Sequence, residues 1–500
     1  MILLYSIIYF SILYTGHTHF PGLHGDEAYF GSKALELLHE PIWVTPVNSM
    51  NNFTSGIFAR IIAWVSIFIQ NPISQIRLPS IVLNSISFFL ILNHYKKNLK
   101  IIALIFLSSS FFFIHLKIGI EVVALIPLLY ILFFLQFKKQ NYSFTEPYSN
   151  SFPIILISLC GVIIHPIFGT AVGALLFYFF IKKDVKNLVI AVLINLLPLL
   201  TIIYKNKISF LNNKNFLGII LISAVSWSFL INTISKNLET IKIKFHPLEK
   251  AKKIIFFGLF IYFLAAHLFP FIETTIGINT LKRYLGLNIS IFQSSIVVIP
   301  LMLIILSFFK KNKNIFNESN IGIWTFSTLV MFSIINNRPV IRHYIIPALT
   351  IVFFIAERAK ITKIKIKILN ILIAIVITLH SYLLFKKNYQ FESKNTMYRI
   401  YRKFDTSAHY SKMDKLIHYL NNPQISYGKI VSNQFIIRPL KYFSQIGVLK
   451  KKNGPPIYID YCYQENCTIE GFYLHRERPK DFAALMSSKE RYKLENKVYR

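Results

Sequence analysis

Residues 79–95 read PSIVLNSISFFLILNHY, an apolar run with Arg77 just before it and Lys96 and Lys97 just after it. A helix needs roughly 20 apolar residues to cross the hydrocarbon core of a bilayer. Runs of roughly 15 to 20 apolar residues recur along most of the chain. The pattern predicts an α-helical polytopic membrane protein with about thirteen transmembrane helices.

Two places leave the path of the chain open. The run from Thr54 to Ile69 is short and carries Arg60 in its middle, so a helix lying in the interface and a crossing are both compatible with it. The runs on either side of His165 and Pro166 form either a hairpin or one broken helix. The predicted spans are at residues 1–16, 79–95, 101–116, 122–137, 153–165, 167–181, 188–204, 217–234, 254–271, 289–309, 321–336, 344–357 and 368–385.

The charge balance is strongly positive, with 55 Lys and Arg against 22 Asp and Glu, a net charge of +33. In a soluble protein that excess would indicate a nucleic-acid partner. Here 54% of the residues are hydrophobic and the mean hydropathy is +0.49, so no nucleic acid is expected and the charge is read by its position. With the N-terminus inside, the inner loops carry about twice as many Lys and Arg as the outer loops, which favours this orientation.

The composition changes after residue 385, where tyrosines, charges and short alternating stretches replace the apolar runs. We therefore predict a transmembrane domain over 1–385, with a first outer loop at about 17–78, and a small α/β extracytoplasmic domain over 386–500. Cys462 and Cys467 form a plausible disulfide if this region meets an oxidising compartment. Cys160 lies in an apolar run and is expected to be a packing residue.

Residues 24–38 read HGDEAYFGSKALELL and place two acids side by side after the first span. Asp26 suits a helix N-cap and Glu27 suits the first turn, where a negative charge complements the helix dipole. The alternative is a catalytic role, since a positioned carboxylate accepts a proton from an attacking hydroxyl.

Three further stretches bring charge close to the predicted membrane: QIRLPSIVLN at 75–84, HLKIGIEVVAL at 115–125 and RPVIRHYIIPAL at 338–349. In the predicted orientation all of them face outwards, together with the acid pair. Lys117 and Glu121 are four residues apart, so a local ion pair is the simplest alternative. Charge near hydrocarbon is costly and marks functional sites, and arginine or lysine stabilises a departing phosphate.

In this order the motifs resemble those of the GT-C membrane glycosyltransferases, in particular glycosyltransferase family 39 with the protein O-mannosyltransferases and the lipid A aminoarabinose transferase. The resemblance covers roughly residues 1–385 as architecture and four short stretches as motifs, of which GDEAYF and RLPS are the most specific. It implies transfer of a sugar from a polyprenyl-phosphate carrier to a hydroxyl of an envelope lipid, glycan or protein. Transfer would take place with inversion on the periplasmic face of a bacterial inner membrane, as in lipopolysaccharide modification or protein glycosylation.

The resemblance also implies residue roles. Asp26 is the general base, Glu27 orients it or helps to bind a divalent ion with Asp26 and His24, and Glu121 is a second acid. The relatives' Lys-Pro-Pro element is missing, because residues 49–53 read SMNNF. No nucleotide cofactor is expected. The candidate contacts to the donor phosphate are Arg342, Arg338, His343, Lys117 and Arg77.

Two other functions remain possible from the sequence. A transporter or flippase of a lipid-linked or small anionic substrate would also place ionisable residues in a membrane domain, although such proteins often show internal repeats and charges near the midplane. An O-antigen ligase or polymerase would depend on a large outer loop late in the chain rather than on an early acid pair.

Overall fold

The computed structural model describes the regions of the chain that carry most of the predicted motifs, and these regions are predominantly helical. The described residues are 1–18, 23, 25–40, 57–108, 112, 115–140, 142, 151–182, 184–204, 224–226, 320–335, 341–358, 370–375, 413–450, 452–461, 468–469, 472–476 and 491–495.

The α-helices are numbered here in chain order. They are α1 Ile2–Tyr14, α2 Gly25–Leu37, α3 Ile57–Ser66, α4 Pro72–His94, α5 Leu99–Ser108, α6 Glu121–Ala124, α7 Ile126–Lys139, α8 Ser151–Ile164, α9 Gly169–Lys182, α10 Val185–Tyr204, α11 Asn320–Ile335, α12 Ile345–Arg358, α13 Met413–Asn421 and α14 Gln434–Gln445. Short 3₁₀ helices are at Lys96–Asn98, His115–Lys117, Pro166–Phe168 and Ile341–Tyr344.

Two of the described helical segments, Pro72–His94 and Glu121–Lys139, are long and apolar enough to cross a membrane. The first begins earlier than the predicted span at 79–95. Asn71 caps it by accepting hydrogen bonds from the backbone N–H groups of Ile73 and Ser74, and Pro72 occupies the first turn, where its missing N–H costs nothing. Arg77 therefore lies inside the helix and not in the loop before it.

Helix α4 buries polar as well as apolar side chains. Arg77, Ser80, Asn84 and Ser87 are buried beside apolar residues such as Ile81 and Phe88, and the apolar side chains of Val82, Ile86 and Phe89 are exposed. The amide of Asn84 donates to the carbonyl oxygens of Leu116 and Val123, which binds α4 to the segment that leads into α7. Polar groups inside and apolar groups outside are the arrangement expected where the surrounding medium is lipid.

The segment that could have been an interfacial helix or a crossing forms α3, which has 10 residues and is therefore about 15 Å long. That length is about half of the hydrocarbon thickness. Arg60 is buried and donates to the carbonyl oxygens of Leu37 and Glu40 at 2.9 and 3.3 Å. A cation at the C-terminal carbonyls of α2 is favourable, so Arg60 holds α3 against α2.

The described residues from 413 onwards include a four-stranded sheet in the order β3-β2-β1-β4, with strands β1 Lys429–Asn433, β2 Pro456–Tyr461, β3 Phe472–His475 and β4 Arg491–Glu495. Strands β1 and β2 are parallel and α14 connects them, as a parallel pair requires. The other two pairs are antiparallel. The alternating stretch at 457–461 lies in β2.

Several predictions fall outside the described residues. They include the spans at 254–271 and 289–309, the domain boundary at 385/386 and the Cys462–Cys467 pair. The count of about thirteen spans thus stays a prediction. Cys160 lies in α8 and is partly buried.

Candidate active site

The centre of the charged cluster is an ion pair between Glu27 in α2 and Arg77 in α4. Arg77 donates from Nε to Oε1 and from Nη2 to Oε2 of Glu27, both at 2.7 Å, so that the pair is bidentate. Both side chains are fully buried. A buried carboxylate opposite a guanidinium in this geometry compensates much of the cost of removing both charges from water.

Two backbone groups complete this pair. The N–H of Gly119 donates to Oε1 of Glu27 at 2.7 Å, and Nη1 of Arg77 donates to the carbonyl oxygen of His17 at 2.6 Å. Gly119 packs so closely on α4 that a Cβ atom there would lie 2.5 Å from the carbonyl oxygen of Ile76. Only glycine permits this approach, which brings the 115–120 segment to the acid pair.

Asp26 lies beside this framework but nearer the surface. Helix α2 begins at Gly25, so Asp26 lies within the first turn and not at the N-cap position. Its Oδ1 accepts a hydrogen bond from Nη1 of Arg438 at 2.8 Å, and the two side chains are 12% and 15% exposed. The neighbouring acids therefore differ in environment: Glu27 is enclosed, whereas Asp26 lies at the edge of the cluster.

Lys117 is a second buried cation next to this framework. It is 2% exposed, and its Nζ lies 3.4 Å from the carbonyl oxygen of Thr15. The pKa of Lys117 is lowered to about 7, mainly by burial and to a smaller extent by the positive charge of Arg77. An anion bound here would favour the protonated lysine, because a negative charge close to the amine stabilises its charged form.

Glu121 and His343 lie at the same end of the helices. Glu121 is the first residue of α6, is 2% exposed and lies near enough to Tyr29 for its charge to contribute to the raised pKa of that phenol, which is mainly an effect of burial. The 3₁₀ helix Ile341–Tyr344 contacts α6, and the ring centroid of His343 is 5.3 Å from that of His165.

The structure thus brings together five of the residues predicted from the sequence and places His343 close by. Arg338 and His24 lie outside the described residues, as does the side chain of Arg342. The five are Asp26, Glu27, Arg77, Lys117 and Glu121.

Sequence reasoning missed Arg438 and Gly119. The spacing of Ile436, Ile437, Leu440 and Phe443 is typical of an amphipathic helix and could have predicted α14. No sequence pattern connects Arg438 with Asp26, which is 412 residues away.

The proposed metal ligands do not fit a divalent ion at Glu27. Oε1 of Glu27 accepts from both Arg77 and Gly119, and Oε2 accepts from Arg77. A cation bound there would lie against a guanidinium. Within the described part of the chain no group of three or more His, Cys, Asp and Glu side chains is placed to hold a metal ion.

The fold and the site define a helical protein with apolar helices of membrane-spanning length and a charged cluster at one end of them. A scan against family models, a search of curated proteins and a search of solved structures each found no match to the chain.

Proposed function

We propose that this chain is an integral-membrane glycosyltransferase that moves a sugar from a polyprenyl-phosphate carrier to a hydroxyl of an envelope lipid, glycan or protein. The observation that carries the proposal is the meeting of Asp26 with the Glu27–Arg77 pair, Lys117 and Glu121 at one end of the helices. These residues are the ones that the resemblance to the GT-C enzymes selects. Their clustering supports a common site, and the reaction itself is our inference.

In the proposed reaction Asp26 accepts the proton of the acceptor hydroxyl while the hydroxyl oxygen attacks the anomeric carbon of the sugar. The bond from that carbon to the phosphate oxygen breaks, and the lipid phosphate leaves with the bonding electrons. A single displacement inverts the configuration at the anomeric carbon. The edge position of Asp26, with 12% of its side chain exposed, suits a base that must meet a substrate.

Glu27 and Arg77 support Asp26 in this proposal. Three nitrogens of Arg77 donate to Glu27 and to the His17 carbonyl oxygen, so we assign Arg77 to the framework and not to the donor phosphate. This arrangement favours the orienting role of Glu27 over the metal-binding role.

The proposed cations for the departing phosphate are Lys117 and, from the segment 338–343, Arg338, Arg342 and His343. Lys117 suits the role because burial has lowered its pKa to about 7, so that a bound phosphate would draw a proton onto it. Positive charge in a site of low dielectric stabilises the growing negative charge of the leaving group.

The distribution of lysines supports an outward-facing site. Helix α4 begins near the cluster and is followed by Lys96 and Lys97 at its far end, and α7 ends at Lys138 and Lys139 at the same end. Lysines concentrate at the cytoplasmic ends of membrane helices. The cluster would then face the periplasm of a bacterial inner membrane.

The test compares the masses of envelope lipids, glycans and proteins from cells with the chain, without it and with Asp26→Asn. We expect one sugar mass to be lost without the chain and transfer to fall about 10²- to 10⁴-fold in Asp26→Asn. Glu36→Gln is the matched control, because Glu36 lies on the same helix, is exposed and pairs with Lys33, so it should transfer normally.

Normal transfer by a well-inserted Asp26→Asn protein would contradict the proposal. If the unaltered chain transfers no sugar but moves a lipid-linked or anionic substrate across vesicles in an Asp26-dependent manner, the chain is a transporter or flippase.

A further inference from the structure

Helix α14, which belongs to the sheet-containing part of the chain, places a residue next to the charged cluster described above. Arg438 of α14 donates from Nη1 to Oδ1 of Asp26 at 2.8 Å. We propose that Arg438 is a positioning residue of the active site that orients the Asp26 carboxylate and favours its ionised form. The inference rests on the proposed function, because it assigns Arg438 a role in that reaction.

The first support is that α14 packs closely on α2 and on the first turn of α4. Tyr442 is buried and its hydroxyl donates to the carbonyl oxygen of Pro72 at 3.1 Å. A Cβ atom on Gly31 of α2 would lie 2.7 Å from the Tyr442 ring and 2.7 Å from Ile76, so the absence of a side chain at Gly31 permits this packing. A residue on a helix held in this way is placed more precisely than one on a loop.

The second support is a further contact that fixes the guanidinium itself. The centre of the Arg438 guanidinium lies 5.6 Å from the ring centroid of Tyr29, within the range of a cation–π interaction. Arg438 is thus held between the carboxylate of Asp26 and the face of Tyr29, which are three residues apart on α2.

The positive charge of Arg438 affects the ionisation of the proposed base. A base must be ionised before it takes a proton, and an adjacent positive charge favours the ionised carboxylate. Because the Asp26 and Arg438 side chains are only 12% and 15% exposed, water screens their interaction less than it would at the surface. The site then needs both the early helix α2 and the late helix α14 to be complete.

The experiment uses the full chain with Arg438→Gln, Arg438→Lys and the control Lys441→Gln. Lys441 lies one turn further along α14, so its variant removes one positive charge from the same helix and keeps the Asp26 contact. With transfer normalised to the amount of folded protein in the membrane, we expect it to fall about 10²-fold in Arg438→Gln, since a small misplacement of a reacting group has an effect of that order.

Arg438→Lys should recover part of the loss, because it keeps the charge but lacks the planar fork of the guanidinium. Lys441→Gln should transfer normally. A loss in Arg438→Gln that the lysine does not relieve at all, or an equal loss in Lys441→Gln, would overturn the positioning role.

A second measurement separates this inference from the proposed function. Melting temperatures of the purified full chain are compared for Asp26→Asn, Arg438→Gln and the double variant, and this measurement needs no substrate. We expect the shift in the double variant to be smaller than the sum of the two single shifts, because each single change already breaks the pair.

If the shifts in melting temperature of the two single variants add up in the double variant, Asp26 and Arg438 do not interact. Normal transfer in Arg438→Gln with lost transfer in Asp26→Asn would reject the role of Arg438 and leave the glycosyltransferase proposal intact. Normal transfer in Asp26→Asn would reject both assignments, whatever the melting temperatures show.

Discussion

Two polar clusters lie at opposite ends of α4, whose 23 residues span about 34 Å. One is the acid cluster around Asp26, Glu27 and Arg77. The other, which we call the Glu357 cluster, consists of Tyr95, Lys138, Tyr142 and Glu357. In it, Oε1 of Glu357 accepts from Lys138 at 2.6 Å, from Tyr95 at 2.8 Å and from Tyr142 at 3.1 Å.

The two clusters differ in the number of charges that they contain. In the Glu357 cluster the carboxylate at the end of α12 meets one lysine and two hydroxyls from neighbouring segments, which is sufficient to join the ends of three helices. The acid cluster contains a fully buried bidentate pair, a second carboxylate paired with Arg438 and the buried Lys117. Since each buried charge is costly, the larger number of charges at one end is better explained by function than by closure of the bundle.

The largest effect that we expect on stability comes from Arg77→Gln. It leaves the Glu27 carboxylate buried without its charged partner, which typically costs about 3–5 kcal/mol of the free energy of unfolding. The measurement is the melting temperature and the yield of folded protein in detergent. A double variant, Glu27→Leu with Arg77→Met, should recover much of the loss, because no charge stays buried. A mild effect of Arg77→Gln alone would mean that the pair does not hold the cluster together.

We expect Lys117→Met to raise the free energy of unfolding, whereas Arg77→Gln lowers it. The size of the increase should depend on pH. Because burial lowers the pKa of Lys117 from 10.5 to about 7, the unfolded chain holds more protons at this position between these pH values. The parent protein therefore loses stability as the pH falls from about 10 to 7. The variant avoids this cost, so we expect its free energy of unfolding relative to that of the parent to be higher at pH 6 than at pH 10, by several kcal/mol.

The same Lys117→Met protein should transfer sugar less well, since it lacks a proposed cation for the departing phosphate. Greater stability with reduced activity is the trade-off expected of a functional site. A variant that is destabilised equally at pH 6 and pH 10 would show that Lys117 is a structural cation, and the contrast between the two clusters would weaken.

The smallest effect is expected at the other end of α4. Glu357→Gln removes the ion pair with Lys138, in which the Glu357 side chain is 20% exposed and the Lys138 side chain 26%. The change should cost about 1–2 kcal/mol of the free energy of unfolding. Sugar transfer per folded molecule should not change. Loss of sugar transfer in folded Glu357→Gln protein would show that the Glu357 cluster is also needed for the reaction, which would contradict the distinction between the two clusters.

The sequence was a good guide to which residues would meet but a poor guide to their partners. Asp26, Arg77, Lys117 and Glu121 were predicted to lie at one end because the spans alternate in direction. Arg77 was predicted to contact the donor phosphate, and its described contacts are with Glu27 and the His17 carbonyl oxygen. Spacing could not reveal this pairing, since Arg77 is 50 residues from Glu27 and the backbone N–H of Gly119 also donates to Glu27.

The apolar runs alone indicated a helical membrane protein, because hydrocarbon admits only segments that satisfy their own backbone hydrogen bonds. Which acid would be enclosed and which would lie at the edge was decided by the tertiary structure. Glu27 faces α4 and meets a guanidinium there, whereas Asp26, one residue earlier, faces α14 and meets Arg438. Successive helical residues point in directions about 100° apart, so packing against two different helices gives adjacent carboxylates opposite environments.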